Sequence, residues 1–122
     1  MAVSRDDFQL MLQIEQTFKP SRAAKMFCWS DAVQIGGHEF FDRYGWASDE
    51  RMHVNEYATF FEMCALAWRR GFVDDELINE WVGAVMPWSK IGHLLLAARE
   101  ILGDDELWAG FEALAKAQQP PG

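Results

Sequence analysis

Residues 54–81, VNEYATFFEMCALAWRRGFVDDELINEW, decide the fold of this chain. Apolar residues recur every three or four positions in the first half of the stretch, which is the pattern of one face of an α-helix. They are Val54, Tyr57, Ala58, Phe61, Ala65 and Trp68. Gly71 is suited to the left-handed conformation that ends a helix, and Asp74 is suited to cap the next one. The stretch therefore predicts a helical hairpin.

The first helix of this hairpin extends upstream of Val54. Ser48 is a capping residue, and the acidic Asp49 and Glu50 that follow it suit the positive end of a helix. A helix over about residues 49–70 spans roughly 33 Å at 1.5 Å per residue. It would be the longest element, so we expect the other helices to pack around it.

Two further helices are predicted upstream of the hairpin. Ser4 is suited to cap a helix from about Arg5 to Lys19, and Ser21 a second helix that ends near Val33. Pro20 separates the two, because proline cannot continue a helix. The predicted inner face of the first helix consists of Phe8, Met11, Leu12 and Phe18.

Downstream of the hairpin, a helical pattern resumes and ends at Gly103. Residues 104–107 then repeat Asp-Asp-Glu-Leu from residues 74–77, which predicts that Asp104 caps a final helix. No segment shows the sustained alternation of a β-strand. We therefore expect an all-α fold, a compact bundle of about six helices around the long central one. The single domain should cover residues 1–118, with a disordered tail over residues 119–122.

The chain is acidic, with 19 acidic and 11 basic side chains and a formal net charge of −8. Direct binding to nucleic acid or to an anionic membrane uses basic surfaces, so we expect neither. The longest apolar run is far shorter than the roughly 20 residues of a membrane span. Because the first residues lack the apolar core of a signal peptide, we expect a cytoplasmic protein. Its cysteines, Cys28 and Cys64, should be buried and reduced.

Short motifs, mainly in the second half of the chain, resemble one bacterial protein family. They are Phe60-Phe61-Glu62, Arg69-Arg70-Gly71-Phe72-Val73-Asp74-Asp75-Glu76-Leu77, Trp88, and Leu107-Trp108-Ala109-Gly110-Phe111-Glu112. On these residues the chain is similar to the uncharacterised helical family called domain of unknown function 4760. The family has no established activity, so the resemblance implies no catalytic residue.

One pattern suggests a metal ion. His53 and Glu56 are three residues apart on one predicted helix face, and His38 lies in the turn upstream. Metal sites carried by helices need three or four converging ligands and usually repeat the motif on a partner helix. Here the motif occurs once, so we expect no metal and no other cofactor. A metal-dependent enzyme that uses His38, His53 and Glu56 is kept as an alternative hypothesis.

Acidic side chains and tryptophans are the candidate partner-binding residues. Asp74, Asp75, Glu76 and Glu80 open the acidic half of the chain. Two interpretations stand: helix-start and solubilising residues, or an acidic face for a basic partner. Trp46 and Trp88 lie beside a turn and a proline, so we expect them to be partly exposed. Exposed tryptophans anchor protein interfaces and self-association.

These observations favour an acidic domain that acts by protein–protein contact, as an adaptor, regulator or inhibitor, without catalysis. The expected partner is a protein, either basic or a second copy of this chain. A second hypothesis is an acidic decoy that imitates nucleic acid. Such a decoy, from a phage or another mobile element, would bind a basic nucleic-acid-binding protein.

Overall fold

The computed structural model describes residues 5–18 and 21–120. Over these residues the chain forms seven α-helices and one short 3₁₀ helix, and no strand. The helices are α1 (Arg5–Phe18), α2 (Arg22–Cys28), α3 (Gly37–Arg43), α4 (Asp49–Arg69), α5 (Asp75–Trp81), α6 (Val85–Leu102) and α7 (Ala109–Gln118). The 3₁₀ helix, Asp31–Gln34, lies between α2 and α3. The predicted all-α fold is confirmed.

Helix α4 is the longest element and contacts α1, α2, α5 and α7. Its buried face consists of Val54, Tyr57, Ala58, Phe60, Phe61, Cys64, Ala65 and Ala67. Opposite this face, Phe111 of α7 stacks on Phe61, with ring centroids 4.6 Å apart. Helix α6 closes the other side of the core against α3 and α7. The central position predicted for the long helix is therefore confirmed.

The α4–α5 hairpin forms as the sequence predicts. Gly71 has a φ of 76°, the left-handed conformation that glycine adopts without steric cost. The amide of Phe72 donates to the carbonyl of Ala67 at 2.9 Å, which satisfies one of the last carbonyls of α4. The carboxylate of Asp74 then accepts the amide of Leu77 at 2.8 Å and begins α5.

The inner face of α1 differs from the prediction. Met11 and Ile14 are buried, whereas Phe8 and Leu12 are 54% and 44% exposed. Helix α1 carries two apolar stripes, and only one of them faces α4. Ser4, Lys19 and Pro20 and the side chain of Phe18 lie outside the described residues.

Two predicted helix boundaries are also wrong. Helix α2 ends at Cys28, and the chain turns into the 3₁₀ helix before it reaches Val33. The final helix begins at Ala109, so Asp104 does not cap it. Helix α7 ends at Gln118; of the predicted tail, residues 121 and 122 lie outside the described part. Among the described helices, none has the length and apolar character that crossing a bilayer requires.

Candidate ligand-binding pocket

A pocket of about 240 Å³ opens between α3, the first half of α4, the second half of α6, and the loops that precede α4 and follow α6. Most of its lining is apolar or aromatic, and the polar side chains in it are those of Arg51 and Asn55. The lining residues are Phe41, Trp46, Arg51, Met52, Val54, Asn55, Leu95, Ala98, Leu102, Leu107 and Trp108. An apolar cleft with few polar groups is the usual form of a ligand site.

Arg51 forms the charged part of this pocket. Its guanidinium carbon lies 3.7 Å from the ring centroid of Trp46 and 4.6 Å from that of Phe41. A cation stacked on aromatic faces is stabilised by their quadrupoles. One guanidinium nitrogen donates a long hydrogen bond, 3.5 Å, to the carbonyl of Tyr44. Burial lowers the pKa of Arg51, but arginine stays charged at neutral pH.

The opposite wall is built by the turn between α6 and α7. Trp108 takes a left-handed backbone with a φ of 62°, which is unusual for a residue with a side chain. This conformation ends the turn and places Leu107 and Trp108 in the pocket lining. The side chain of Arg99 holds the turn in place, because its Nε donates to the carbonyl of Leu107 at 2.6 Å.

A group of charged side chains behind the turn joins α4, α6 and α7. The carboxylate of Glu62 accepts the amides of Gly110 and Phe111, at 3.1 and 2.8 Å. Arg99 also donates to Glu112 at 3.0 Å. Burial acts to raise the pKa of Glu112, but hydrogen bonds and charge from Arg99 and Lys116 outweigh it and lower that pKa. These contacts fix the N-terminus of α7, so their role is structural.

The two cysteines lie in surroundings that disfavour a reactive thiolate. Cys28 and Cys64 are buried and form no disulfide. Burial raises the pKa of Cys28 to about 12 and also raises the pKa of Cys64. The thiolate is the reactive form, and burial disfavours it at both cysteines.

The predicted acidic group lies at the start of α5, away from the pocket. Asp74 caps the helix, and Asp75 accepts the indole N–H of Trp68 at 2.7 Å. Glu76 and Glu80 are exposed on the same short helix. Asp74 and Asp75 therefore have structural roles at the helix start.

The two predicted tryptophans have different surroundings. Trp46 is 68% exposed and lines the pocket. Trp88 is partly buried and packs edge-on against Phe111, with centroids 5.2 Å apart. A third, Trp29, is also exposed, although the sequence had not singled it out.

The three candidate metal ligands are not brought together. His38 pairs with Glu100 at 2.6 Å, and Glu56 accepts a hydrogen bond from Ser21 at 3.4 Å. The ring of His53 packs against Phe27, and its buried Nδ1 has no hydrogen-bond partner among the described residues. In residues 5–18 and 21–120, no group of three or more His, Cys, Asp or Glu side chains could hold a metal ion.

The sequence did not identify Arg51 as a site residue. It follows Asp49 and Glu50 in the first turn of α4, where a charged residue is ordinary. The one feature of the sequence that could have pointed to Arg51 is the group of aromatic residues just upstream, which includes Phe41 and Trp46. Only the fold shows that the guanidinium turns back over these rings.

Comparison with known proteins identifies a family and no function. The model of the family described as domain of unknown function (DUF4760) matches residues 9–118, so the match extends over both halves of the chain. This protein belongs to that family. No curated protein and no solved structure matches it.

Proposed function

We propose that this member of the DUF4760 family is a binding domain without chemistry of its own, and that it contacts a partner protein through the surface around Trp46. We call this the Trp46 surface and define it as Trp46, Met52 and Leu102. The observation that carries the proposal is their exposure, 68%, 51% and 51%, around one apolar pocket.

The composition of the Trp46 surface supports a protein interface. Single exposed apolar residues are common on protein surfaces and need no explanation. Several of them around one concave site mark a binding surface. Tryptophan and arginine are also the residues most enriched among those that dominate interface energies, and here Arg51 is stacked on Trp46.

The proposal is tested with a matched pair of methionines. Met52 lies on the Trp46 surface, whereas Met26 lies on α2, outside the pocket lining, and is 62% exposed. Wild-type protein, Trp46→Ser, Met52→Ser and Met26→Ser are used as bait in cross-linking captures from source cells. Sedimentation velocity tests a second copy of the chain as the partner.

We expect one partner, or self-association, that is retained by wild type and by Met26→Ser. Trp46→Ser and Met52→Ser should each weaken it about tenfold or more, since truncation of a residue that dominates an interface costs about 2 kcal/mol or more and about 1.4 kcal/mol corresponds to tenfold. The proposal fails if the Met26 and Met52 variants behave alike. It also fails if wild type captures nothing and stays monomeric.

The acidic-decoy hypothesis has less support. It needs carboxylates that are presented to a partner, but those of Asp74 and Asp75 accept hydrogen bonds within the domain. Its separate test is salt-sensitive binding to a basic protein in competition with DNA. Neutralising the four acidic residues together should abolish that binding: Asp74, Asp75, Glu76 and Glu80.

A further inference from the structure

We infer that the pocket binds a small apolar monocarboxylate, whose hydrocarbon body fills the cavity and whose carboxylate pairs with Arg51. This inference goes beyond the proposed function, because it assigns the pocket a ligand of its own. A partner protein would contact the exposed rim, whereas the ligand would occupy the interior.

The apolar body follows from the size and lining of the pocket. Val54, Leu95 and Ala98 form its floor and are buried. An apolar cavity of about 150 Å³ is known to take up benzene, a molecule with six non-hydrogen atoms. In proportion, the 240 Å³ here accommodates a ligand of about ten non-hydrogen atoms.

The anionic head follows from a comparison of two arginines. Among the described residues, Arg51 and Arg99 are the partly buried arginines. Arg99 has an acidic partner, Glu112, at 3.0 Å. Arg51 forms no ion pair with any described residue, although the chain carries 19 acidic side chains. A partly buried cation without a counter-ion at an apolar pocket favours an anionic ligand, because a buried charge is otherwise costly.

The orientation of the guanidinium favours a carboxylate. Trp46 and Phe41 contact Arg51 through their rings. The N–H groups of a guanidinium lie at the edge of its plane, so stacking leaves them available to an acceptor. A carboxylate accepts two such N–H groups at once in a planar fork. Among the described residues, the guanidinium edge donates one hydrogen bond, to the carbonyl of Tyr44, and this bond is long at 3.5 Å.

A single negative charge fits the pocket better than a phosphate dianion. The lining holds one cation, and its other polar side chain is the neutral amide of Asn55. A dianion would bring a second charge into an apolar cleft without a second cation to balance it. A ligand amine is disfavoured, because Arg51 would repel it.

The test uses probes with one tail and different heads: octanoate, 1-octanol and octylamine, below the concentration at which octanoate forms micelles. Isothermal titration calorimetry gives the affinities, and tryptophan fluorescence reports the site because Trp46 and Trp108 line it. Octanoate should bind wild type about tenfold or more tightly than octanol, since a hydrogen bond to a charged group is worth roughly 1.5–3 kcal/mol. Octylamine should bind more weakly than octanol.

Variants then assign the head group to Arg51. Arg51→Met should weaken octanoate binding about tenfold and leave octanol unchanged. The octanoate affinity of Arg51→Lys should lie between those of wild type and Arg51→Met, because lysine keeps the charge but not the planar fork. Arg69→Met, an exposed arginine of the same helix outside the pocket lining, should bind octanoate like wild type.

Two results would overturn the inference: equal affinity for octanoate and octanol, or no octanoate binding at millimolar concentration. Both are measured on wild-type protein, so the test stands even if Arg51→Met does not fold. Octanoate binding needs no partner protein. A failure to bind octanoate would therefore not contradict the proposed protein interface. A failed partner capture would likewise not contradict the carboxylate site.

Discussion

Residues 74–77 and residues 104–107 carry the same sequence, Asp-Asp-Glu-Leu, and form different structures. At the first copy, helix α5 begins at once, and Asp74 accepts the amide of Leu77 at 2.8 Å. At the second copy the chain makes a series of turns. There Asp104 accepts the amide of Glu106, only two residues on, at 3.0 Å.

The distance from the preceding glycine accounts for the difference. Gly71 and Gly103 have left-handed backbones, with φ of 76° and 66°, at the ends of α4 and α6. Two residues separate Gly71 from Asp74, whereas Asp104 follows Gly103 directly. Asp74 is therefore able to start a new helix, while Asp104 still belongs to the end of the old one.

The hydrogen bond of the Asp104 backbone amide shows that this residue belongs to the end of α6. It donates to the carbonyl of Arg99 at 3.0 Å, the bond expected of the residue that follows a left-handed terminal glycine. In the α4–α5 hairpin the equivalent bond runs from the amide of Phe72 to the carbonyl of Ala67. Asp74 is left with the extended backbone of an N-cap, at φ −79° and ψ 171°.

Helix α7 consequently obtains its cap from another part of the chain. Trp108 occupies the N-cap position, and its indole offers no oxygen acceptor. The carboxylate of Glu62, on α4, accepts the amides of Gly110 and Phe111, the second and third residues of the helix. An N-cap side chain ordinarily accepts from one of these two amides. The start of α5 is capped by a residue of its own segment, whereas the start of α7 is capped by a residue of α4.

The remote cap of α7 predicts that the largest loss of stability follows from a substitution at Glu62. Glu62→Ala should lower the free energy of unfolding by about 2–3 kcal/mol, because it removes two hydrogen bonds to a charged acceptor and the carboxylate at a helix N-terminus. Urea denaturation followed by circular dichroism measures it. Glu56→Ala is the control on the same helix and should change stability by less than about 0.5 kcal/mol. Equal effects of the two substitutions would contradict the remote cap.

Gly110 provides a second measurement of the same contact. A Cβ at this position would lie 2.7 Å from Oε1 of Glu62 and 3.2 Å from Cβ of Ala65. Gly→Ala inside a helix ordinarily stabilises by about 0.5–1 kcal/mol. Here we expect Gly110→Ala to destabilise by about 1–2 kcal/mol through crowding.

A double-mutant cycle shows whether the crowding is with Glu62. Once Glu62→Ala has removed the carboxylate, Gly110→Ala should cost less than about 0.5 kcal/mol. An undiminished cost in that background would place the conflict at Ala65 and not at the cap.

A smaller effect distinguishes the two copies of the motif directly. Asp74→Ala removes a true N-cap and should cost about 1 kcal/mol. Asp104→Ala removes only a local turn contact on an exposed loop and should cost less than about 0.5 kcal/mol. The two variants are compared in one urea series. Equal costs would mean that the second copy also nucleates its helix.

The hairpin could be predicted because its signals are local. Ser48, Gly71 and Asp74 act through the backbone of their own neighbours, and each has the predicted role. The start of α7 could not be predicted in this way, since its cap comes from Glu62, 48 residues from Gly110 in the sequence. One sign was nevertheless visible in the sequence. Asp104 follows Gly103 directly, whereas two residues separate Gly71 from Asp74, so the two copies were not in equivalent positions.

The buried face of α1 and the pocket could not be predicted from the sequence for a different reason. Apolar residues on α1 form two stripes, and the position of α4 decides that Met11 and Ile14 are buried while Phe8 is not. The pocket depends in the same way on tertiary packing. Its charged residue, Arg51, stacks on a tryptophan in the preceding loop, and no helical pattern encodes that contact.

The smallest predicted effect concerns the pH dependence of the remotely capped helix. Glu112 stands in the first turn of α7, and the pairing with Arg99 helps to lower its pKa below the ordinary value of 4.5. A carboxyl whose pKa is lower in the folded state stabilises the fold above the unfolded pKa. That contribution is lost as the pH falls through the folded pKa.

Glu112→Gln should therefore be less stable than wild type at pH 7, and the difference should shrink below about pH 4.5. We expect the pH-dependent part to be less than about 1 kcal/mol. Urea denaturation at a series of pH values measures it, with Glu80→Gln on α5 as the matched control. If the difference stayed constant down to the acid limit, the charge of Glu112 would contribute nothing to stability. Helix α7 would then depend on the carboxylate of Glu62 alone for the electrostatic stabilisation of its N-terminus.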